Sequence, residues 1–202
     1  MISLMKQFLD RCHLQHDLVT FQKNIMSLRE PSFLQEYNLK EKMYLVLTVH
    51  RPANVDETEK LKFMMEEIIS NSNDMPIIFP IHPRTSKIIN SLNITTSNLI
   101  IVDPLDYLEF NYLVKNSFAV ITDSGDITKE TTVMGITCLT LRDNTERPET
   151  ITIGTNVLVG TNPKNIKSVL NNLFSGNWKK GNIPELWHGH AAERIVSQLV
   201  NL

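Results

Sequence analysis

The sequence predicts an α/β fold, a Rossmann-like doubly wound parallel sheet, and three observations predict it. Short apolar runs recur along the chain, several almost continuously Ile, Val and Leu. Stretches with apolar residues at helical spacing alternate with them. Histidine, arginine, aspartate and small hydroxyl residues follow the runs at one end. Runs apolar on both faces suit strands covered by helices on each side, and β-α-β-α alternation suits a layered parallel sheet.

The predicted strands are Tyr44–Val49, Ile77–Ile81, Leu99–Val102, Ala119–Thr122, Ile136–Leu141 and Asn156–Val159. Between and after them, Leu61, Met64, Met65, Ile68 and Ile69 fall at i, i+3, i+4, i+7 and i+8. Ile166, Val169, Leu170, Leu173 and Phe174 repeat that spacing, as do Ala192, Ile195, Val196, Leu199 and Val200. Each set makes one apolar stripe for packing on a sheet. Asp56 reads as the cap of the first helix, and Asn162-Pro163 as the start of the second. Residues 1–40 stand apart as a helical extension or interdomain connection. They hold one helix (Ile2, Met5, Leu9 and Cys12 on one face) and a polar stretch ending at Glu30-Pro31. Residues 41–202 form the Rossmann-like domain.

Composition narrows the function. The 202 residues are 42% hydrophobic and 21% charged with a net charge of −2. That suits a folded core and provides no basic excess for nucleic acid or an anionic membrane. Cys12 and Cys138 stand far apart without CxxC spacing, which argues against a disulfide framework or zinc ribbon. Cys138 lies in an apolar run and reads as a small buried hydrophobe. No apolar stretch reaches membrane-spanning length, and Lys6, Asp10 and Arg11 interrupt the start of the chain where a signal peptide would be apolar. The expectation is a soluble, cytoplasmic protein.

Ligands of open α/β sheets bind beyond the carboxyl ends of the strands. Those ends carry His50-Arg51-Pro52, His82-Pro83-Arg84-Thr85, Asp103-Pro104, Asp123-Ser124-Gly125-Asp126 and Arg142 through Arg147. Each alone is ordinary loop, turn or cap chemistry. Together they make a rim of charge-assisted donors and a helix start, which suits a phosphate-bearing ligand. Asp126 is expected to cap a helix beginning near Ile127. No GxG, Walker A or GxSxG pattern occurs, so neither a standard nicotinamide fingerprint nor a hydrolase serine is indicated. Cys12, His13 and His16, and likewise His188 and His190, read as surface residues rather than metal ligands.

Six segments in order carry a resemblance. Thr48–Asp56 (TVHRPANVD) resembles T-x-H-R-x-E-N-V-D, with Ala53 in place of Glu. Pro80–Thr85 (PIHPRT) resembles P-x-H-P-R-T, and Thr122–Glu130 (TDSGDITKE) resembles T-D-S-G-G-I-Q-E-E. Leu141–Thr150 (LRDNTERPET) and Gly154–Gly160 (GTNVLVG) match almost outright, and Leu186–Ile195 (LWHGHAAERI) is similar to L-W-D-G-x-A-A-E-R-I. From about residue 40 onward the chain resembles the C-terminal domain of the non-hydrolysing UDP-N-acetylglucosamine (UDP-GlcNAc) 2-epimerases, and residues 1–40 match only loosely.

The resemblance implies one half of the two-domain GT-B arrangement, with a UDP-sugar in the cleft. It implies interconversion of UDP-GlcNAc and UDP-N-acetylmannosamine (UDP-ManNAc), for cell-surface polysaccharide synthesis, by elimination and re-addition of UDP. No cofactor and no metal are implied. Residue by residue, it gives His50 and Arg147 catalytic places. It gives Arg51, His82, Ser124, Gly125, Asp126 and Glu130 places around UDP: Ser124 and Gly125 at the diphosphate, Glu130 at the ribose, and His82 on the uridine side or a neighbouring effector site. The family's proton-abstracting carboxylates lie in an N-terminal domain, so a separate N-terminal half or a homodimer partner is the expected complement. Asp126 and Thr128-Lys129 depart from the motif's Gly and Gln-Glu. The missing carboxylates and Asp126 support the alternative of a non-catalytic UDP-sugar-binding or regulatory module; half of a GT-B glycosyltransferase is a further alternative.

Overall fold

The computed structural model describes residues 24–200 apart from His82, Asn93, Thr95, Leu186 and His188. The predicted N-terminal helix lies outside the described residues. In chain order the elements are α1 (Phe33–Glu36), β1 (Leu45–Thr48), α2 (Pro52–Val55), α3 (Thr58–Ser70), β2 (Ile77–Pro80), α4 (Pro83–Ser91) and β3 (Leu99–Val102). There follow α5 (Tyr107–Asn116), β4 (Ala119–Thr122), α6 (Gly125–Met134), β5 (Thr137–Thr140), α7 (Pro148–Thr152), β6 (Asn156–Leu158), α8 (Lys164–Phe174) and α9 (Ala191–Val200). Every predicted run is a strand: Leu99–Val102 and Ala119–Thr122 keep their bounds, and the other four are shorter by one or two residues.

The strands form one parallel sheet of order β3-β2-β1-β4-β5-β6. Strand alternation divides the core. Leu45, Leu47, Ile77, Phe79, Ala119 and Ile121 face Leu61, Met64, Met65 and Ile68 of α3 and Ile166, Leu170 and Leu173 of α8. Tyr44, Val46, Ile78 and Val120 face Leu34, Leu113 and Val114 on the other side. The buried Tyr44 hydroxyl donates to the Leu113 carbonyl at 2.9 Å, so its polar tip is satisfied. Cys138 is buried and unbridged, as expected.

Three local expectations change and one holds. The edge strand β3 is only partly covered, with Ile101 exposed. Asp56 ends α2 instead of capping α3, whose first turn follows Glu57. Asn162 does cap: its side-chain oxygen accepts from the Lys164 amide at 3.1 Å. In α9, Val196 and Val200 are 58% and 78% exposed, so these members of the third stripe do not pack on the sheet.

Candidate functional site

The strand order reverses direction between β1 and β4. Connections from β1 run toward β3, and those from β4 run toward β6. Such a switch point opens a crevice at the carboxyl ends of the two strands. β1 and β4 are in register as Thr48 with Thr122, whose hydroxyls meet at 2.7 Å. The next residue on β4, Asp123, therefore lies beside the loop that leaves β1.

Asp123 is fully buried and organises that loop. Its carboxylate accepts from the amides of His50 at 3.1 Å and Arg51 at 2.9 Å, and from the Asn54 side chain at 3.1 Å. It also pairs with His50 Nδ1 at 2.9 Å. Asn54, buried in turn, donates to the Leu141 carbonyl at 3.1 Å and so ties the loop to the end of β5. Pro52 at the first helical position suits the short α2 that follows. With Nδ1 fixed, Nε2 is the nitrogen that the half-exposed imidazole presents outward. The hydrogen bond to Asp123 raises the His50 pKa, with the carboxylate's charge adding to it and burial and Arg51 opposing. Burial alone would raise Asp123, but the bonds from His50, the Arg51 amide and Asn54 hold it below the usual carboxylate range.

Ser124 adjoins this clamp. Its amide donates to the Thr122 hydroxyl at 3.0 Å. Ser124 is the N-cap of α6 but makes no side-chain capping bond, so the N–H groups of the first turn meet no cap from it. The helix starts at Gly125, two residues earlier than expected. Asp126 therefore lies inside the first turn, and its exposed carboxylate pairs with Lys129 Nζ at 3.0 Å instead of capping. Gly135, at positive φ, closes the other end of α6 as only glycine does cheaply.

From β5, the buried Arg142 holds Glu146 bidentately, with Nη1 to Oε2 at 2.8 Å and Nη2 to Oε1 at 2.5 Å. A side chain at Gly125 would touch this pair, its Cβ 3.4 Å from Arg142 Nη1 and 3.6 Å from Glu146 Oε2. Arg142 and the start of α6 therefore form one wall. Hydrogen bonding to Arg142 takes Glu146 down to about 2. Arg147 stands one residue beyond. Its hydrogen bonds stay local, from its amide to Thr145 Oγ1 at 3.0 Å and from its guanidinium to the Glu146 carbonyl at 3.4 Å.

Glu130 lies about one and a half turns along α6, facing Tyr107 and Asn111 of α5. Burial raises it to about 7; Asp126 adds to the rise, while hydrogen bonds from Tyr107 and Asn111 and the charge of Lys129 oppose it. Asn111 is itself buried, with its side-chain oxygen unpaired. The structure thus brings His50, Arg51, Ser124 and Gly125 together at the switch point, with Asp126 and Glu130 along the emerging helix. His82 lies outside the described residues, as do Cys12, His13, His16 and His188. Among the described residues, no three His, Cys, Asp or Glu side chains group as metal ligands. Sequence reasoning put Asp123 and Arg142 on the rim but assigned neither a role at the site. Their signal was present, since each immediately follows a predicted strand or its last apolar residue.

Residues 9–200 match the family model described as UDP-N-acetylglucosamine 2-epimerase. The chain belongs to the UDP-N-acetylglucosamine 2-epimerase family. It is 40% identical over 162 residues to the UDP-N-acetylglucosamine 2-epimerase of Methanocaldococcus jannaschii, a match covering 76% of this chain and 43% of that protein. The crystal structure of the M. jannaschii UDP-GlcNAc 2-epimerase in complex with UDP-GlcNAc and UDP superposes with a TM-score of 0.72 at 35% identity, covering 92% of this chain and 53% of that one. The Neisseria meningitidis UDP-GlcNAc 2-epimerase bound to UDP-GlcNAc gives 0.74 at 26% identity over 92% and 53%. The chain spans about half the length of these relatives of the family, and its domain is equivalent to one half of a GT-B fold. No helix among the described residues is long and apolar enough to cross a membrane.

Proposed function

We propose that this chain is the nucleotide-binding half of a UDP-GlcNAc 2-epimerase, interconverting UDP-GlcNAc and UDP-ManNAc once a carboxylate-bearing N-terminal half completes the cleft. The observation that carries this reading is the Asp123 clamp, which aims His50 over the switch point beside the open first turn of α6. A diphosphate there meets backbone N–H groups and the positive end of a helix dipole. In the reaction, a base removes the C2 proton and the C1–oxygen bond to the diphosphate breaks, which leaves a glycal and UDP. Re-addition restores the C1–oxygen bond and delivers a proton to the opposite face of C2. Protonated His50, favoured by Asp123, offsets the charge that grows on departing UDP. Arg51, Ser124, Gly125 and Arg142 hold the diphosphate, and Arg147 approaches the sugar from the adjoining turn. His82 is proposed, on its motif alone, for the uridine side or a neighbouring effector site.

The C2 base comes from outside these residues in this reading. Asp123 is sealed under its loop, and Glu146 is held by Arg142 at too low a pKa for proton abstraction. The isolated chain is therefore expected to bind UDP in calorimetry yet form no UDP-ManNAc from UDP-GlcNAc by NMR, with turnover appearing when a cognate N-terminal half is added. Epimerisation by the chain alone would sink the missing-base argument and point to Glu130, whose pKa suits a base. The second reading, a nucleotide-binding module without turnover, is favoured by the carboxylate of Asp126 at the helix mouth; it predicts UDP binding and no turnover even with the added half.

Glu130 is proposed to accept the ribose hydroxyls. Charge-assisted bonds of this kind are worth roughly 1.5–3 kcal/mol each, so Glu130→Gln should weaken UDP binding about tenfold or more. Equal calorimetric affinity in both proteins removes Glu130 from the site.

A further inference from the structure

We propose that Asp126 and Lys129 act as one charge-compensated unit that sets affinity for the diphosphate: Lys129 supplies the cation that lets a phosphate group approach a helix mouth bearing a carboxylate. The inference rests on the nucleotide reading above and extends it to two residues that depart from the motif.

The geometry is specific. Asp126 lies in the first turn of α6 with its side chain 86% exposed, and Lys129, one turn on, is 3% exposed. Their charged groups meet at 3.0 Å. A lysine this buried is uncommon without a partner, because removing an ammonium from water is costly. The whole side chain is covered, ammonium included, and its Nζ meets the exposed Asp126 carboxylate in the first turn. In the motif that the segment resembles, the two positions carry Gly and Glu, with a summed charge of −1; Asp and Lys sum to zero. The carboxylate added at the mouth thus arrives together with an ammonium in place of a carboxylate further along.

Seen from a phosphate at the first-turn N–H groups, Asp126 alone repels and Lys129 alone attracts. At an exposed mouth these interactions are screened, though not abolished. Held together, the two present a dipole in place of a net charge, and the N–H groups of the first turn keep their role. Lys129 also lowers the neighbouring Glu130 while Asp126 raises it, so the pair balances the ribose side in the same way.

The two single substitutions should therefore move UDP affinity in opposite directions. Asp126→Asn is expected to tighten UDP about fivefold, and Lys129→Gln to weaken it about tenfold. The double variant should return to within about threefold of the parent. Uridine, which lacks phosphates, should bind all four proteins alike in NMR titrations, and Lys129→Gln should flatten the salt dependence of UDP binding. A merely structural lysine would change the melting temperature and leave both readouts alone. Asp126→Asn alters an exposed side chain, so it tests the proposal even where Lys129→Gln does not fold. Unchanged UDP affinity in Asp126→Asn, shifts of the same sign in both single variants, or equal shifts for uridine overturn the compensation. A parent chain that binds no UDP at millimolar concentration overturns the nucleotide reading as well, which separates the two failures.

Discussion

Asp123→Ala should produce the largest loss of stability of any single substitution at the rim, on the order of 3 kcal/mol. The carboxylate satisfies the amides of His50 and Arg51 and the buried side chain of Asn54. Each buried donor left without a partner costs roughly 1–3 kcal/mol, and little water reaches a fully buried position to replace the oxygen atoms. For a domain near this size that corresponds to a fall in melting temperature of about 6–12 °C. Asp123→Asn separates clamp from charge. The amide oxygen can still accept from the loop, so the fold survives, but the negative partner of His50 Nδ1 is gone. The His50 titration followed by NMR should therefore move down toward the ordinary histidine range, and UDP should bind more weakly because a neutral imidazole then faces the diphosphate. An unmoved His50 titration in Asp123→Asn would show that the raised pKa has another source, and a melting temperature unchanged in Asp123→Ala would show that the loop does not depend on this carboxylate.

The importance of Asp123 is legible only after the sheet is assembled. Its segment, Asp123-Ser124-Gly125, has the composition of a common turn. What changes its meaning is the pairing of β4 with β1, strands separated by some seventy residues in the chain. Periodicity identifies strands because burial acts on each run independently; strand order depends on crossovers, which single runs do not encode. The same distinction explains the other cases. The stripes of α3 and α8 are buried as their spacing requires, since each packs on the sheet that its own strand enters. The stripe of α9 has the same spacing, yet Val196 and Val200 are exposed, because amphipathicity says that a face wants cover without saying from what. Arg142 was readable as a strand-end cation; its burial and its hold on Glu146 come from the tight turn between β5 and α7. Asp126 reads as a cap but lies two positions inside the helix, because helix boundaries follow backbone hydrogen bonds, which here start the helix at Gly125, and not the first apolar residue.

Glu130→Gln should make the protein's stability much less dependent on pH between about 5 and 8, with the largest difference from the parent at the alkaline end. In the folded chain Glu130 keeps its proton up to about 7, against a normal value of 4.5. Between those values the folded state binds more protons than the unfolded state, so stability falls as pH rises through this window and levels off above it. Below pH 4.5 both states are protonated and the favourable contribution of the neutral acid is fully present. A shift of this size corresponds to on the order of 3 kcal/mol, because one unit is 1.36 kcal/mol. Desolvation is the leading cause, which means that the cost is that of holding a carboxylate in a groove lined by Tyr107 and Asn111. Glutamine fills the same space and carries no charge at any pH, so its melting temperature should be nearly flat across the window while the parent's declines by several degrees. The same substitution weakens UDP, so the residue would be kept at the expense of stability above neutral pH, a pattern expected where a carboxylate serves a ligand and not the fold. Saturating UDP should then restore much of the parent's lost stability at pH 8 and little of the variant's. Parallel pH profiles for the two proteins would show that Glu130 is ionised at neutral pH in the folded chain and that the groove is wetter than its packing indicates.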